Sequence, residues 1–390
     1  MKHFVVPRGI FFGWGSLDYL KGVQGKKAFI VTDKPLVEMG VADKVAGYLQ
    51  EAGLETKIFD GSLPDPPRAC VLEGVDMLKD FEADWIVALG GGSSMDTAKG
   101  IWVLYEHPNL TWDEVFVPFG IPPLRNKAKM IAIATTSGTG SEVTCAAVIT
   151  NKEVKPEVKQ VIASHEITPD VAIVDPELSS SMPPLVTSAT GMDALTHAIE
   201  SYTSIAATDI DKAIDLGAIK IIFRALPKAF ADGRNAAARE DMHTASLMAG
   251  MAFTNSFLGI THALAHQLGT EYGVPHGKGN SLMLPYVIQF NAIAVAELYA
   301  EIADYLKLDF ENNKDAVKKL VAAIFELQRD SGLPSTIKDA GIDEADFKKK
   351  LDGLANNAMG DITVGNNPRV PSLQDLKDLY VAAFYGQEVM

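Results

Sequence analysis

Five residues in the second half of the chain combine types and spacing that could do metal chemistry. In GMDALTHAIESY, Asp193 and His197 stand four apart, so a helix stacks them on one face with Cβ atoms about 5–6 Å apart. His262 and His266 in GITHALAHQLG repeat that spacing, and His276 in YGVPHGKGN follows after a turn. Two or three of these histidines can join Asp193 and His197 around one ion. All five lie in apolar helical sequence, where imidazole and carboxylate groups without partners are costly to bury. One carboxylate and three imidazoles suit Fe(II) or Zn(II), and ligand type alone prefers neither. His3, His107, His165 and His243 have no such company and read as structural or surface residues.

A second set of candidates lies in the first half. Gly90-Gly91-Gly92 ends a β-rich run and is followed by Ser93, Ser94, Met95 and Asp96, the opening of a helix. Residues without Cβ let backbone N–H groups approach a phosphate, and a helix start favours the anion, so this is a pyrophosphate seat. The pattern is not the GxGxxG fingerprint, because Met95 stands where the third glycine would be. Asp33 ends an earlier strand, where a carboxylate could accept from ribose hydroxyls and repel a 2′-phosphate. It lies well before the glycines, whereas a Rossmann acid follows them by about 20 residues, so a different sheet wiring is implied. TTSGTGSEVT at 135–144 adds hydroxyls and glycines at another strand end.

These groups need a scaffold of some size, and 390 residues argue for two or three domains. Hydrophobic residues at 47% and charged residues at 22% exclude a disordered or fibrous chain. The formal charge of −15 opposes binding to nucleic acid. Cys70 and Cys145 form no CxxC pair, so the expected home is a reducing cytoplasm. Neither a signal-peptide core nor a run near the ~18 apolar residues of a membrane helix is seen. Strand-like runs at 26–33, 55–60, 84–93, 130–138 and 171–176, with a helical stretch over 35–52, predict a mostly parallel sheet covered by helices. Beyond Met182-Pro183-Pro184 the sequence is helical, so the expected domains are 1–183, binding a dinucleotide, and 184–390, binding the metal. The segment 335–365 predicts only short helices and loops.

Taken together, these stretches resemble the iron-containing, group III alcohol dehydrogenases through nearly the whole chain. VTDKPLVEMG, DWIVALGGGSSMDTAKG, ATTSGTGSEVT, GMDALTHAIESY, LMAGMAFTNSFLGITHALAHQLG and PHGKGNSLMLP carry the resemblance. Several, with AKGIWVLYEHP and NNPRVP, look most like the alcohol dehydrogenase module of bifunctional aldehyde-alcohol dehydrogenases. The resemblance implies a Rossmann-like, dehydroquinate synthase-like α/β domain followed by an all-α domain. It places the metal ligands on Asp193, His197, His262 and His276, and makes His266 a proton relay near nicotinamide and substrate. Gly90, Gly91, Gly92, Ser93 and Asp96 match its pyrophosphate loop, Thr135 and Thr136 its next cofactor loop, and Lys159 a cofactor-contacting lysine. Asp33 matches the residue that goes with NAD rather than NADP.

The implied function is interconversion of short-chain primary alcohols and aldehydes with NAD(H) and Fe(II), or Zn(II) in its place, by a homodimer or higher homo-oligomer. Diol-reducing members carry a polar side chain after SEVT, where this chain reads Cys145-Ala146-Ala147. With Phe253, Phe257 and Ile260 near the ligand helix, a small apolar pocket is expected. A glycerol- or diol-type dehydrogenase of the same fold is the alternative. A dehydroquinate synthase-like lyase would need Lys and Arg for a phosphorylated substrate, and only Lys278 adjoins the ligand segments.

Overall fold

The computed structural model describes residues 3–154 and 157–389. Two compact units are present, Met1–Ser181 and Met182–Met390. Strands of the first are β1 (Gly9–Phe12), β2 (Lys27–Val31), β3 (Glu55–Phe59), β4 (Trp85–Gly90), β5 (Lys129–Ala134), β6 (Ala146–Asn151), β7 (Val158–Ala163) and β8 (Val171–Val174). Its helices are α1 (Lys34–Glu38), α2 (Val41–Glu51), α3 (Arg68–Phe81), α4 (Gly92–Glu106), α5 (Trp112–Val115) and α6 (Pro176–Ser179).

Six strands form one parallel sheet in the order β1-β8-β5-β4-β2-β3. The central strands read as unbroken apolar runs because both their faces are buried. Phe29 and Val31, Ile86 and Ala88, and Met130 and Ala132 enter the core beneath α3 and α4. Ala28 and Ile30, Val87 and Leu89, and Ile131 and Ile133 enter the opposite core with α2. The expected stretch over 35–52 is two helices, because Gly40 takes a left-handed φ of 74° between α1 and α2. Two features had not been expected: the edge strand β1 and the antiparallel β6–β7 pair outside the main sheet.

Helices of the second unit are α7 (Pro184–Thr203), α8 (Asp209–Ala231), α9 (Ala236–Ser256), α10 (Ile260–Tyr272), α11 (His276–Tyr305), α12 (Asn313–Asp330), α13 (Glu344–Met359) and α14 (Leu373–Tyr385). One apolar core joins α7, α8, α9, α11 and α12, and a second joins α10, α11, α13 and α14. The polar segment 335–365 contains the full-length helix α13, whose Phe347, Leu354, Ala355 and Ala358 reach the second core. Among the described residues, α11 alone is long and apolar enough to cross a membrane. More than half of its most apolar window is buried within the protein, which accounts for that composition.

Candidate functional site

In the first unit, the sheet order puts β4 beside both β2 and β5. The chain reverses its direction of travel across the sheet between β2 and β4, and ligands of open α/β sheets bind beyond the carboxyl ends of strands at such a switch point. Val31 pairs with Ala88, and Gly90 with Ala134. Asp33, Gly90–Gly92 and Thr135–Thr136 therefore share one sheet edge, despite the 57 positions between Asp33 and Gly90.

Gly90 has φ 150°, and a Cβ there would lie 2.6 Å from Ser94 Cβ and Oγ, so the turn admits only glycine. Thr136 and Thr139 lean over Gly91 and Gly92, where added Cβ atoms would meet their methyls at 3.2 and 3.1 Å. α4 starts from Gly91 without a side-chain cap, leaving its first N–H groups to an anion. Asp33 Oδ1 accepts from Leu36 N at 3.0 Å and so caps α1.

Beneath this turn Lys99, fully buried on α4, donates to Ser141 O, Thr144 O, Thr144 Oγ1 and Ala146 O at 2.8–2.9 Å. Burial pulls its ammonium down to about 8, against the nearby Asp96 carboxylate. Loss of solvent pushes Asp96 up to about 7, opposed by Lys99, Lys159 and hydrogen bonds to Val148 and Ser141. Burial likewise raises Glu142 to about 7. Lys159 pairs with Asp65 Oδ1 at 2.7 Å. Lys99 and Glu142 were absent from the sequence reading; their signal was a charged residue inside an otherwise apolar or small-residue stretch.

In the second unit, α7 carries Asp193 and His197, α10 carries His262 and His266, and α11 begins with His276. One ligand atom from each of Asp193, His197, His262 and His276 lies within 4.8 Å of the others. From Asp193 Oδ1, the distances are 3.4 Å to His276 Nε2 and 3.9 Å to both His197 Nε2 and His262 Nε2. Asp193, His197 and His262 are buried, whereas the His276 side chain is 36% exposed. Phe253 stacks on the His197 ring with centroids 4.4 Å apart, and His197 on His262 at 4.8 Å. Burial resists ionisation of Asp193, but the three imidazoles and a hydrogen bond from Asn280 hold its carboxyl below the ordinary value.

His266 lies beside this group, its ring 5.3 Å from that of His276, but its Nδ1 meets Asp361 Oδ2 at 2.7 Å. Burial would raise the Asp361 carboxyl, and the hydrogen bond and charge of His266 hold it well below the usual range instead. Asn280 Nδ2 donates to Asp193 Oδ1 at 2.7 Å and lies 3.0 and 3.2 Å from the Nε2 atoms of His262 and His276. Glu200 reaches His262 Nδ1 at 2.6 Å. Sequence reasoning missed Asp361, Asn280 and Glu200, although Glu200 falls on the helical face of Asp193 and His197. Ile260, expected in a substrate pocket, is fully buried at the start of α10, in the core that α10 shares with α11, α13 and α14. Phe253 and Phe257 remain half-buried.

This donor set fits a divalent cation. Three imidazole nitrogens and a carboxylate oxygen face one another, and Asn280 Oδ1, fully buried beside them, has no hydrogen-bond partner. The family model for iron-containing alcohol dehydrogenase matches residues 7–176, and the model for the C-terminal region of the Fe-containing alcohol dehydrogenase family matches 187–384. The chain belongs to the iron-containing alcohol dehydrogenase family. Members are oxidoreductases acting on alcohols, and both units of this one have the family's fold. Over the full length of both proteins it is 44% identical to the NADPH-dependent butanol dehydrogenase of Clostridium saccharobutylicum. It is 39% identical to the bifunctional aldehyde-alcohol dehydrogenase of Escherichia coli K12, with 98% of this chain matching 46% of that protein. The crystal structure of a 1,3-propanediol oxidoreductase superposes with a TM-score of 0.92 at 40% identity, covering 98% of this chain and all of that one.

Proposed function

We propose that this iron-containing alcohol dehydrogenase interconverts short-chain primary alcohols and their aldehydes with NAD(H), as an alcohol dehydrogenase of the general 1.1.1.1 type. The observation that carries this reading is the convergence of Asp193, His197, His262 and His276 within 4.8 Å. These four residues would hold Fe(II), or Zn(II) in its place. A divalent metal there supplies Lewis acidity, which favours loss of the alcohol proton and polarises the carbonyl in the reverse direction. The nicotinamide supplies the hydride acceptor.

The chain's own residues do the rest. Asp193 contributes the negative charge of the set, and Asn280 keeps its Oδ1 oriented by donating to it. The stack of Phe253 on His197 fixes that ring and excludes water from one side of it. Asp361 holds the Nδ1 of His266 at 2.7 Å, leaving Nε2 to take up or return the alcohol proton. In the first unit, Gly90–Gly92, Ser93 and the start of α4 seat the pyrophosphate, with Asp96, Thr135, Thr136 and Lys159 around it. Asp33 faces the adenosine ribose.

Similarity to a 1,3-propanediol oxidoreductase favours a diol as the second reading. Against this, the segment after SEVT, where diol-reducing members carry a polar side chain, reads Cys145-Ala146-Ala147 here, which favours simple alcohols. The test is an anaerobic screen of C2 to C6 aldehydes, with 3-hydroxypropanal among them, on apoprotein reconstituted with Fe(II) or Zn(II). NADH and NADPH are supplied in parallel. Turnover of butanal with NADH is the expected result; metal and NADH bound without oxidation in the presence of any aldehyde would defeat the reading.

A further inference from the structure

We propose that Glu200 is a positioning residue for the metal centre, holding His262 in the tautomer that offers an unprotonated Nε2 to the other ligands. This rests on the metal reading above. Glu200 is 4% exposed and lies on α7 three residues beyond His197. Its Oε2 is 2.6 Å from His262 Nδ1. Its Oε1 accepts from Thr261 N, also at 2.6 Å.

The two oxygens do separable work. α10 starts at Gly259 without a side-chain cap of its own. Glu200 Oε1 fills that place on Thr261 N, and Asn367 Oδ1 lies 3.3 Å from Ile260 N. A Cβ at Gly259 would come within 3.0 Å of Glu200 Oε1 and 2.8 Å of Asn367 Oδ1, so the backbone approaches both closely. Glu200 is thereby anchored by the helix start and cannot swing from the ring two residues further along it.

Oε2 then decides the tautomer. A carboxylate only accepts hydrogen bonds, so the proton of a neutral His262 must sit on Nδ1. Nε2 keeps its lone pair, and Nε2 is the atom that faces Asp193 Oδ1 at 3.9 Å and Asn280 Nδ2 at 3.0 Å. Such a carboxylate fixes ring orientation and raises the basicity of the ligating nitrogen, and its loss typically weakens metal binding about 10- to 100-fold.

Glu200→Gln separates the two roles. The amide oxygen can still accept from Thr261 N, while its NH₂ opposite Nδ1 demands a lone pair there and drives the ring proton to Nε2. The experiment titrates full-length wild-type and E200Q apoprotein with Zn(II) alone against a chromophoric chelator, and follows thermal unfolding of both apoproteins. We expect Zn(II) affinity to fall about 10- to 100-fold with the apoprotein melting temperature unchanged. Stoichiometric Zn(II) binding by both proteins with equal affinity would overturn the role of Glu200 and leave the metal reading intact. No Zn(II) binding by wild type would overturn both.

A measurement on the wild type does not depend on the variant folding. In ¹⁵N-histidine-labelled apoprotein at alkaline pH, the His262 resonances, assigned by their loss in His262→Gln, should report the Nδ1–H tautomer. An Nε2–H tautomer would overturn the proposal.

Discussion

Gly277→Ala tests how the start of α11 is held against α7. Gly277 follows His276 directly, and a Cβ there would lie 2.1 Å from Ala189 O, 2.7 Å from Ala189 C and 3.1 Å from Asp193 Cβ. Ala189 O belongs to the backbone of α7, one turn before Asp193, and cannot turn aside without breaking that helix. The contact falls short of a tolerable carbon–oxygen approach by about 1 Å, so the start of α11 must move by about that much. His276 Nε2 stands 3.4 Å from Asp193 Oδ1, and ligand distances must hold within about 0.2 Å for a metal site. Overpacking of this kind costs about 1–3 kcal/mol. G277A should therefore lower apoprotein stability by that amount in urea denaturation and weaken Zn(II) binding at least about tenfold. Gly353, exposed within α13 with nothing within 4 Å of its would-be Cβ, is the matched control. G353A should gain about 0.4–1 kcal/mol and bind Zn(II) normally. If G277A matched wild type in both assays, close approach of α11 to α7 would not be what places His276.

His262→Ala and His276→Ala should lose bound metal and activity together, whereas His266→Ala should keep its metal and turn over slowly with an altered pH profile. Loss of metal from the His266 variant, measured by elemental analysis, would contradict the division of roles. Asp361, held below its ordinary pKa by His266, stabilises the fold fully above the unfolded carboxylate value of about 3.9 and loses that contribution as pH falls toward its native value. Asp361→Asn should accordingly lower the urea midpoint at neutral pH and flatten its decline below about pH 4, and an unchanged acid slope would count against the pair. Asp33→Gly should narrow the preference for NADH over NADPH in kcat/KM, and an unchanged ratio would reduce Asp33 to the cap it forms on Leu36 N.

Much of the local structure is legible in sequence, because it depends on near neighbours along the chain. The apolar runs that become β2, β4 and β5 are recognisable because both faces of each strand are buried. The four-residue spacing of Asp193 and His197 places them on one helical face. The break at Gly40 and the regular helix α13 were not legible. The first is marked only by a glycine inside a helical pattern, which suits a continuous helix as well as the left-handed turn found here, and the second draws its apolar partners from α10 and α14, so its own composition is weakly apolar. Ile260 reads as a pocket residue from its place beside the ligand helix, and only the packing of the surrounding helices puts it in the core.

Composition and spacing alone determined the kinds of chemistry available: a glycine turn opening a helix, and carboxylate and imidazole groups one turn apart. They left open which of His262, His266 and His276 face Asp193, since His262 and His266 are equivalent by periodicity. Tertiary structure separates them: His262 is turned inward against Glu200 from α7, and His266 meets Asp361, 95 positions along the chain. The same holds for Asp33 and Gly90, neighbours only because β2 and β4 lie side by side. Side-chain spacing within an element is set by its own helical or pleated repeat, whereas the partner of a buried polar group is set by whichever distant element packs against it.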